Sequence, residues 1–146
     1  KVSTMTERAQ QHGARTVCGG KPLSGPGCFF APTVLADVAP AMEIAQQEVF
    51  GPVLAVTPFQ SDDEAIAIGN GTGFGLVAGI FTQQIDRALS GARRLRAGQV
   101  FVNEWFAGGV ETPFGGVGQS GYGREKGREA LGNYLRTKNI AIALRN

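Results

Sequence analysis

Apolar residues change their spacing repeatedly along the middle of the chain. Residues 53–59 are a strand-like run of Val, Leu and Phe with Pro58 near its end. Ser61-Asp62-Asp63-Glu64 then reads as a capping box, and Ala65, Ile66 and Ile68 follow as a short helix ending near Gly69-Asn70-Gly71. Residues 76–82 are apolar on both sides and predict the next strand. Ile85, Ala88, Leu89, Ala92 and Leu95 recur at helical spacing, Gly98 closes that helix, and residues 99–103 form a further strand. Strand, helix, strand, helix, strand is the order of parallel βαβ units, so the fold class is α/β.

The flanks are read in the same way. Residues 4–12 carry a capping-box pattern, Thr4-Met5-Thr6-Glu7, and predict a helix that stops at Gly13. Residues 15–18 predict a short strand, 19–27 a loop, and 34–38 a second strand entered through Pro32. Beyond Asn103, residues 105–123 form a glycine-rich loop without sustained periodicity. A helix is predicted from Arg124 to about Leu135, with Ala130, Leu131, Tyr134 and Leu135 on one face. Ile140, Ile142 and Leu144 alternate with Ala141 and Ala143, the period of a terminal strand, and its open edge invites pairing with another segment or subunit.

Composition narrows the function classes. At 146 residues the chain is one ordinary domain, able to bury about 70% of its unfolded surface. A hydrophobic share of 42% with 18% charged residues is globular rather than disordered. The 22 glycines have no period, which points to turns and close backbone approaches. Net charge is only +2, and the densest basic cluster, Arg93, Arg94 and Arg96, has Asp86 nearby and no interleaved aromatics; it reads as a solvated helix face, not a nucleic-acid surface. No apolar run approaches the ~20 residues of a membrane span, and the polar start (Ser3, Thr4, Thr6) is not a signal peptide. Cys18 and Cys28 read as two reduced structural thiols of a cytoplasmic protein. The chain opens on Lys1 rather than Met, and a longer parent is expected.

Few positions carry candidate chemistry. His12 has no second histidine and no metal-ligand spacing, so no metal site is expected. Gly116-Val117-Gly118-Gln119-Ser120-Gly121 matches G-x-G-x-x-G, but Pro113-Phe114 stands where the motif needs a strand, and no acid follows Glu129 to hold a ribose. Close backbone packing explains it better. Glu48-Val49-Phe50-Gly51-Pro52 places a carboxylate two residues from an aromatic ring just before a strand. That carboxylate could accept bonds from sugar hydroxyls beside a flat heterocycle, or be a surface Glu next to a core Phe. Trp105, Phe106 and Phe114 bracket a loop that follows a strand end; they either line an apolar pocket or cap the sheet.

Taken in order, several blocks resemble the aldehyde dehydrogenase superfamily. They are Gln47-Glu48-Val49-Phe50-Gly51-Pro52-Val53, Thr72-Gly73-Phe74-Gly75-Leu76, Val102-Asn103, Pro113-Phe114-Gly115-Gly116, and Ser120-Gly121-Tyr122-Gly123-Arg124-Glu125. The likeness runs from about Gly13 to Leu144; Gly118 departs from it, standing where many members carry a lysine. It implies a mostly parallel open twisted sheet with flanking helices, the carboxy-terminal portion of a catalytic domain over residues 1–137, with residues 138–146 as an oligomerisation strand. It implies that Glu48 holds the nicotinamide ribose of NAD or NADP, that Phe50 lies against the nicotinamide, and that Phe114 and Trp105 wall the aldehyde pocket.

In that family a cysteine thiolate attacks the aldehyde, hydride passes to the nicotinamide, and water activated by a glutamate cleaves the thioester. The nucleophile lies in a Gly-Gln-x-Cys setting. Here Cys18 follows Thr16-Val17, Cys28 follows Pro26-Gly27, and Gly98-Gln99-Val100-Phe101 has Phe where the thiol belongs. No catalytic residue is therefore assigned. The reading is a fragment of an aldehyde-oxidising enzyme, inactive alone, with cofactor and aldehyde bound in the full-length parent and a homo-oligomer formed through the terminal strand. The alternative is a non-catalytic interaction or oligomerisation module derived from the same family.

Overall fold

The computed structural model describes residues 1–106 and 108–144. The elements in order are α1 (Val2–Gln11), β1 (Arg15–Cys18), β2 (Thr33–Ala36), α2 (Glu43–Gln46), β3 (Val53–Ala55), α3 (Asp62–Gly69), β4 (Val77–Ile80), α4 (Ile85–Arg94) and β5 (Gln99–Val102). Two short 3-10 segments, Gly118–Ser120 and Arg128–Tyr134, follow. The fold is α/β, and its parallel pairings are β2 with β3 and β4 with β5; β1 joins β2 antiparallel. The chain forms two compact units, dividing after Gly73.

In the first unit, α1 buries Met5, Thr6 and Ala9 on one face. Its core gathers Ala9, Ala14, Leu35, Val38 and Ile44, with Val49, Val53 and Ala55 packed against them. That packing carries α1 past the expected cap: the helix starts at Val2, Thr4 lies inside it, and Ser3 Oγ donates to Glu7 Oε1 at 3.0 Å instead. The second strand runs 33–36 rather than 34–38, although Val38 stays buried and its N–H donates to the Val56 carbonyl at 3.1 Å. The third is Val53–Ala55 and not 53–59, with one further bond from the Val56 N–H to the Leu35 carbonyl at 2.8 Å. The predicted cap of α3 is formed: Ser61 Oγ accepts from the Glu64 N–H at 3.2 Å, while the Glu64 carboxylate reaches back to the Gln60 N–H at 2.7 Å. Both thiols are free and exposed.

In the second unit α4 makes the crossover between β4 and β5, paired from Val77↔Gln99 to Ile80↔Val102. Asn103 ends the pair. Its N–H donates to Ile80 O at 2.8 Å, and its side-chain amide both accepts from Thr82 N–H and donates to Thr82 O, each at 2.8 Å. The residue is left-handed (φ 56), a conformation that asparagine tolerates.

The G-x-G-x-x-G stretch is a packing device. The Gly75 carbonyl accepts from both Gly98 N–H and Val117 N–H at 3.0 Å, and the Gly75 N–H donates to Ser120 Oγ at 3.0 Å. A Cβ at Gly98 would run into the Gly115 carbonyl oxygen, and one at Gly75 would lie 2.5 Å from the Arg96 carbonyl oxygen. Only glycine lets these backbones meet.

One expectation for the tail is corrected. The amphipathic helix from Arg124 to about Leu135 is instead the 3-10 segment Arg128–Tyr134, with Leu131, Tyr134 and Leu135 exposed. Left-handed Lys126 and Gly127 (φ 57 each) deny it a helical start, and no surface among the described residues covers its apolar side. Residues 138–144 make no ladder within the described chain, and Arg145 and Asn146 of the expected strand lie outside the described residues. No helix among the described residues is long and apolar enough to cross a membrane.

Replacing Gly98 with Ala should force the 115–121 loop off the start of β5. The expected loss is about 1–3 kcal/mol of unfolding free energy, the cost of overpacking. Urea denaturation of the two proteins measures it, and equal midpoints would contradict the account.

Candidate functional site

Candidate residues lie in both units. In the first, the segment after α2 is oriented by its middle residue. Val49 packs on the core, so Glu48 and Phe50 on either side of it face outward. Phe50 is not a core aromatic: it is 79% exposed and left-handed at φ 54. A bulky side chain is seldom held there without surrounding constraint. The Glu48 carboxylate is exposed and takes no hydrogen-bond or ion-pair partner among the described residues. Lys1, which sequence reasoning had not singled out, sits beside both: its Nζ donates to the Glu48 backbone carbonyl and lies 5.4 Å from the Phe50 ring centroid. No motif marks that lysine, because the contact spans 47 residues.

In the second unit the aromatics that follow β5 divide their work. Trp105 meets Phe101 edge-on at 6.3 Å and packs over Gly79 of β4, where a Cβ would lie 3.0 Å from the indole. It caps the sheet. Phe106, left-handed at φ 72, links the sheet to the loop, 6.2 Å from Phe101 and 6.0 Å from Phe114. A shallow cleft open to solvent is lined by Gln99, Phe106, Gly108, Gly109, Thr112, Phe114 and Lys126. The structure therefore brings Phe114 into a cleft and leaves Trp105 outside its lining. Ala107, in the same loop, lies outside the described residues.

Backbone bonds fix this wall. Phe114 and Glu125 exchange N–H···O bonds of 2.7 Å in both directions, and Gly127 N–H donates to Val110 O at 2.7 Å. The Arg124 guanidinium donates to the carbonyls of Gly116, Gly123 and Tyr122 at 2.8, 2.9 and 3.2 Å. The Glu111 carboxyl is held below its ordinary pKa by its own backbone N–H and that of Gly109, which reaches Oε1 at 3.1 Å, with Lys126 adding a favourable charge. Among the described residues no group of three His, Cys, Asp or Glu could hold a metal.

A lowered carboxyl pKa means the ionised form is favoured by the folded loop. The stabilisation is present at neutral pH and is lost as the pH falls below the ordinary carboxylate range, through the lowered value. The Gly109 amide protection factor, the exchange rate normalised to the intrinsic rate at each pH, should fall over that acid window, and Glu111→Gln should abolish the fall. A pH-independent Gly109 protection factor in the unsubstituted protein would contradict it.

The family described as "Aldehyde dehydrogenase family" matches residues 1–140. Betaine aldehyde dehydrogenase of Cereibacter sphaeroides is 46% identical over 144 residues, covering 99% of this chain and 30% of that protein. The crystal structure of an NAD-dependent aldehyde dehydrogenase from Sinorhizobium meliloti superposes with a TM-score of 0.91 at 39% identity, covering 99% of this chain and 29% of that one. Indole-3-acetaldehyde dehydrogenase of P. syringae, solved with NAD+, gives 0.91 at 42% identity over 98% of this chain and 29% of its own. The chain thus spans under a third of the length of these relatives.

Proposed function

The chain belongs to the aldehyde dehydrogenase family, and from that premise we propose that it supplies residues to the active site of an NAD(P)-dependent enzyme oxidising an aldehyde to a carboxylic acid. The observation that carries the proposal is the pairing of an exposed Glu48 carboxylate, unpartnered among the described residues, with an exposed, left-handed Phe50. Such a carboxylate accepts hydrogen bonds from vicinal ribose hydroxyls, and the open ring face offers a surface to a flat heterocycle. Lys1, donating to the Glu48 carbonyl, steadies the same segment. When bound, the nicotinamide would take a hydride from the aldehyde carbon. On this reading Phe106 and Phe114 exclude water from the aldehyde, while Trp105 holds Phe101 and the end of the sheet beneath them.

The nucleophile and the general base are assigned to polypeptide outside this chain. Cys18 lies on β1 with its thiol 3.8 Å from the Pro32 carbonyl, and Cys28 lies on the loop between β1 and β2; neither matches the family's nucleophile setting. Two free, exposed thiols suit a reducing, cytoplasmic compartment. The chain alone is expected to give no NADH from propanal and NAD, whereas a full-length protein containing it should. In that protein Glu48→Ala should weaken NAD binding about tenfold or more by calorimetry. NADH formation by the isolated chain would overturn the assignment of the nucleophile elsewhere, and unchanged affinity would overturn the role of Glu48.

A second reading, an interaction or oligomerisation module, is favoured by one observation: Ile140, Ile142 and Leu144 are exposed and make no ladder within the described chain. Residues 138–144 would then pair with the edge of another copy's sheet. Ile142→Pro, which removes a ladder donor, should lower the mass seen by light scattering. A strict monomer before the substitution would exclude this pairing.

A further inference from the structure

The aromatic cleft carries a cation of its own. Lys126 Nζ stands 5.2 Å from the Phe106 centroid and 5.8 Å from that of Phe114, and the residue lines the cleft with Gln99 and Thr112. Its position is enforced. Glu125 is bonded to Phe114 on one side and Gly127 to Val110 on the other, each bond 2.7 Å. Between these pins Lys126 is left-handed at φ 57, a conformation unfavourable for a lysine and kept only where its neighbours over-determine it. No carboxylate lies within ion-pair distance of it among the described residues.

We propose that Lys126 is a specificity-determining residue of the aldehyde cleft, selecting an aldehyde whose far end carries a carboxylate; this rests on the reading of the cleft as the aldehyde site. Two aromatic faces at this spacing would otherwise attract a cationic substrate, since ring faces are electronegative. The chain's own ammonium already occupies that position, so a cationic substrate meets like charge. An anionic one meets the ammonium, with the polar side chains of Gln99 and Thr112 on the same wall. Glu111 makes no ion pair with Lys126 within 4.0 Å: its carboxylate is held by backbone N–H groups, and its charge acts on the ammonium only at longer range.

The test compares kcat/KM for three aldehydes in the full-length protein containing this chain: succinic semialdehyde, butanal and an ω-trimethylammonio aldehyde. The unsubstituted enzyme should prefer the carboxylate probe to butanal. Lys126→Met should lower the carboxylate-to-butanal ratio roughly ten- to hundredfold, the range of a charge-assisted contact. Lys126→Arg should largely retain the ratio, and Lys126→Glu should shift preference toward the cationic probe. Turnover of all three with ratios unchanged by Lys126→Met would overturn the role of Lys126 while leaving the aldehyde reading standing. Preference of the unsubstituted enzyme for the cationic probe would overturn it likewise. No NADH from any probe would overturn both readings.

Discussion

Backbone has to lie directly on backbone where residues 115–121 cross the starts of β4 and β5. The Gly75 carbonyl receives N–H groups from Gly98 and Val117, and no side chain can stand at Gly98 without meeting the Gly115 carbonyl. Everything on the apolar wall depends on that crossing. It sets where Pro113 and Phe114 emerge, and Gln99 Nε2 then holds the Pro113 carbonyl at 2.8 Å. Phe114 fixes Glu125 through two backbone bonds, and that pairing places Lys126 over the rings. A substitution remote from the cleft would therefore act on the cleft through geometry rather than through charge.

Both units present their candidate side chains from strained backbone. Phe50, Phe106 and Lys126 are all non-glycine residues with positive φ. Each costs on the order of 1–3 kcal/mol that neighbouring contacts must offset. In the first unit the anchor is Val49, packed inward between two outward residues. In the second it is the bonded pairs on either side of Lys126. The shared logic is that a side chain turned away from the core needs a buried or hydrogen-bonded neighbour to hold it so.

Much of the fold was legible because local rules and tertiary packing agreed. Ser61 caps α3 as its sequence pattern predicts, strand 15–18 and the helix from Ile85 fall where periodicity puts them, and strand 77–80 lies inside the expected 76–82. Legibility failed where a single residue's conformation overrode a pattern. The alternation of Ala130, Leu131, Tyr134 and Leu135 is helical, yet left-handed Lys126 and Gly127 precede it and Tyr134 is 86% exposed. Trp105, Phe106 and Phe114 offered pocket or cap as equal readings; Trp105 packs on the sheet over Gly79, while Phe106 and Phe114 line the cleft. Lys1 and Lys126 were invisible because their meaning lies in contacts distant in sequence or set by φ, neither of which leaves a motif.

Burial and chemistry are incomplete in the same way. The apolar stripe of α4 was the clearest helical pattern in the chain, yet only Ala88 is buried, while Ile85 is 68% and Leu89 47% exposed. A two-stranded sheet is too narrow to cover such a stripe, and helices of α/β folds ordinarily pack on wider ones. The Glu48 carboxylate likewise offers acceptors with nothing among the described residues to accept from, and the cleft beside Phe114 is a wall rather than an enclosure. A chain that spans under a third of its relatives is expected to show both deficits together.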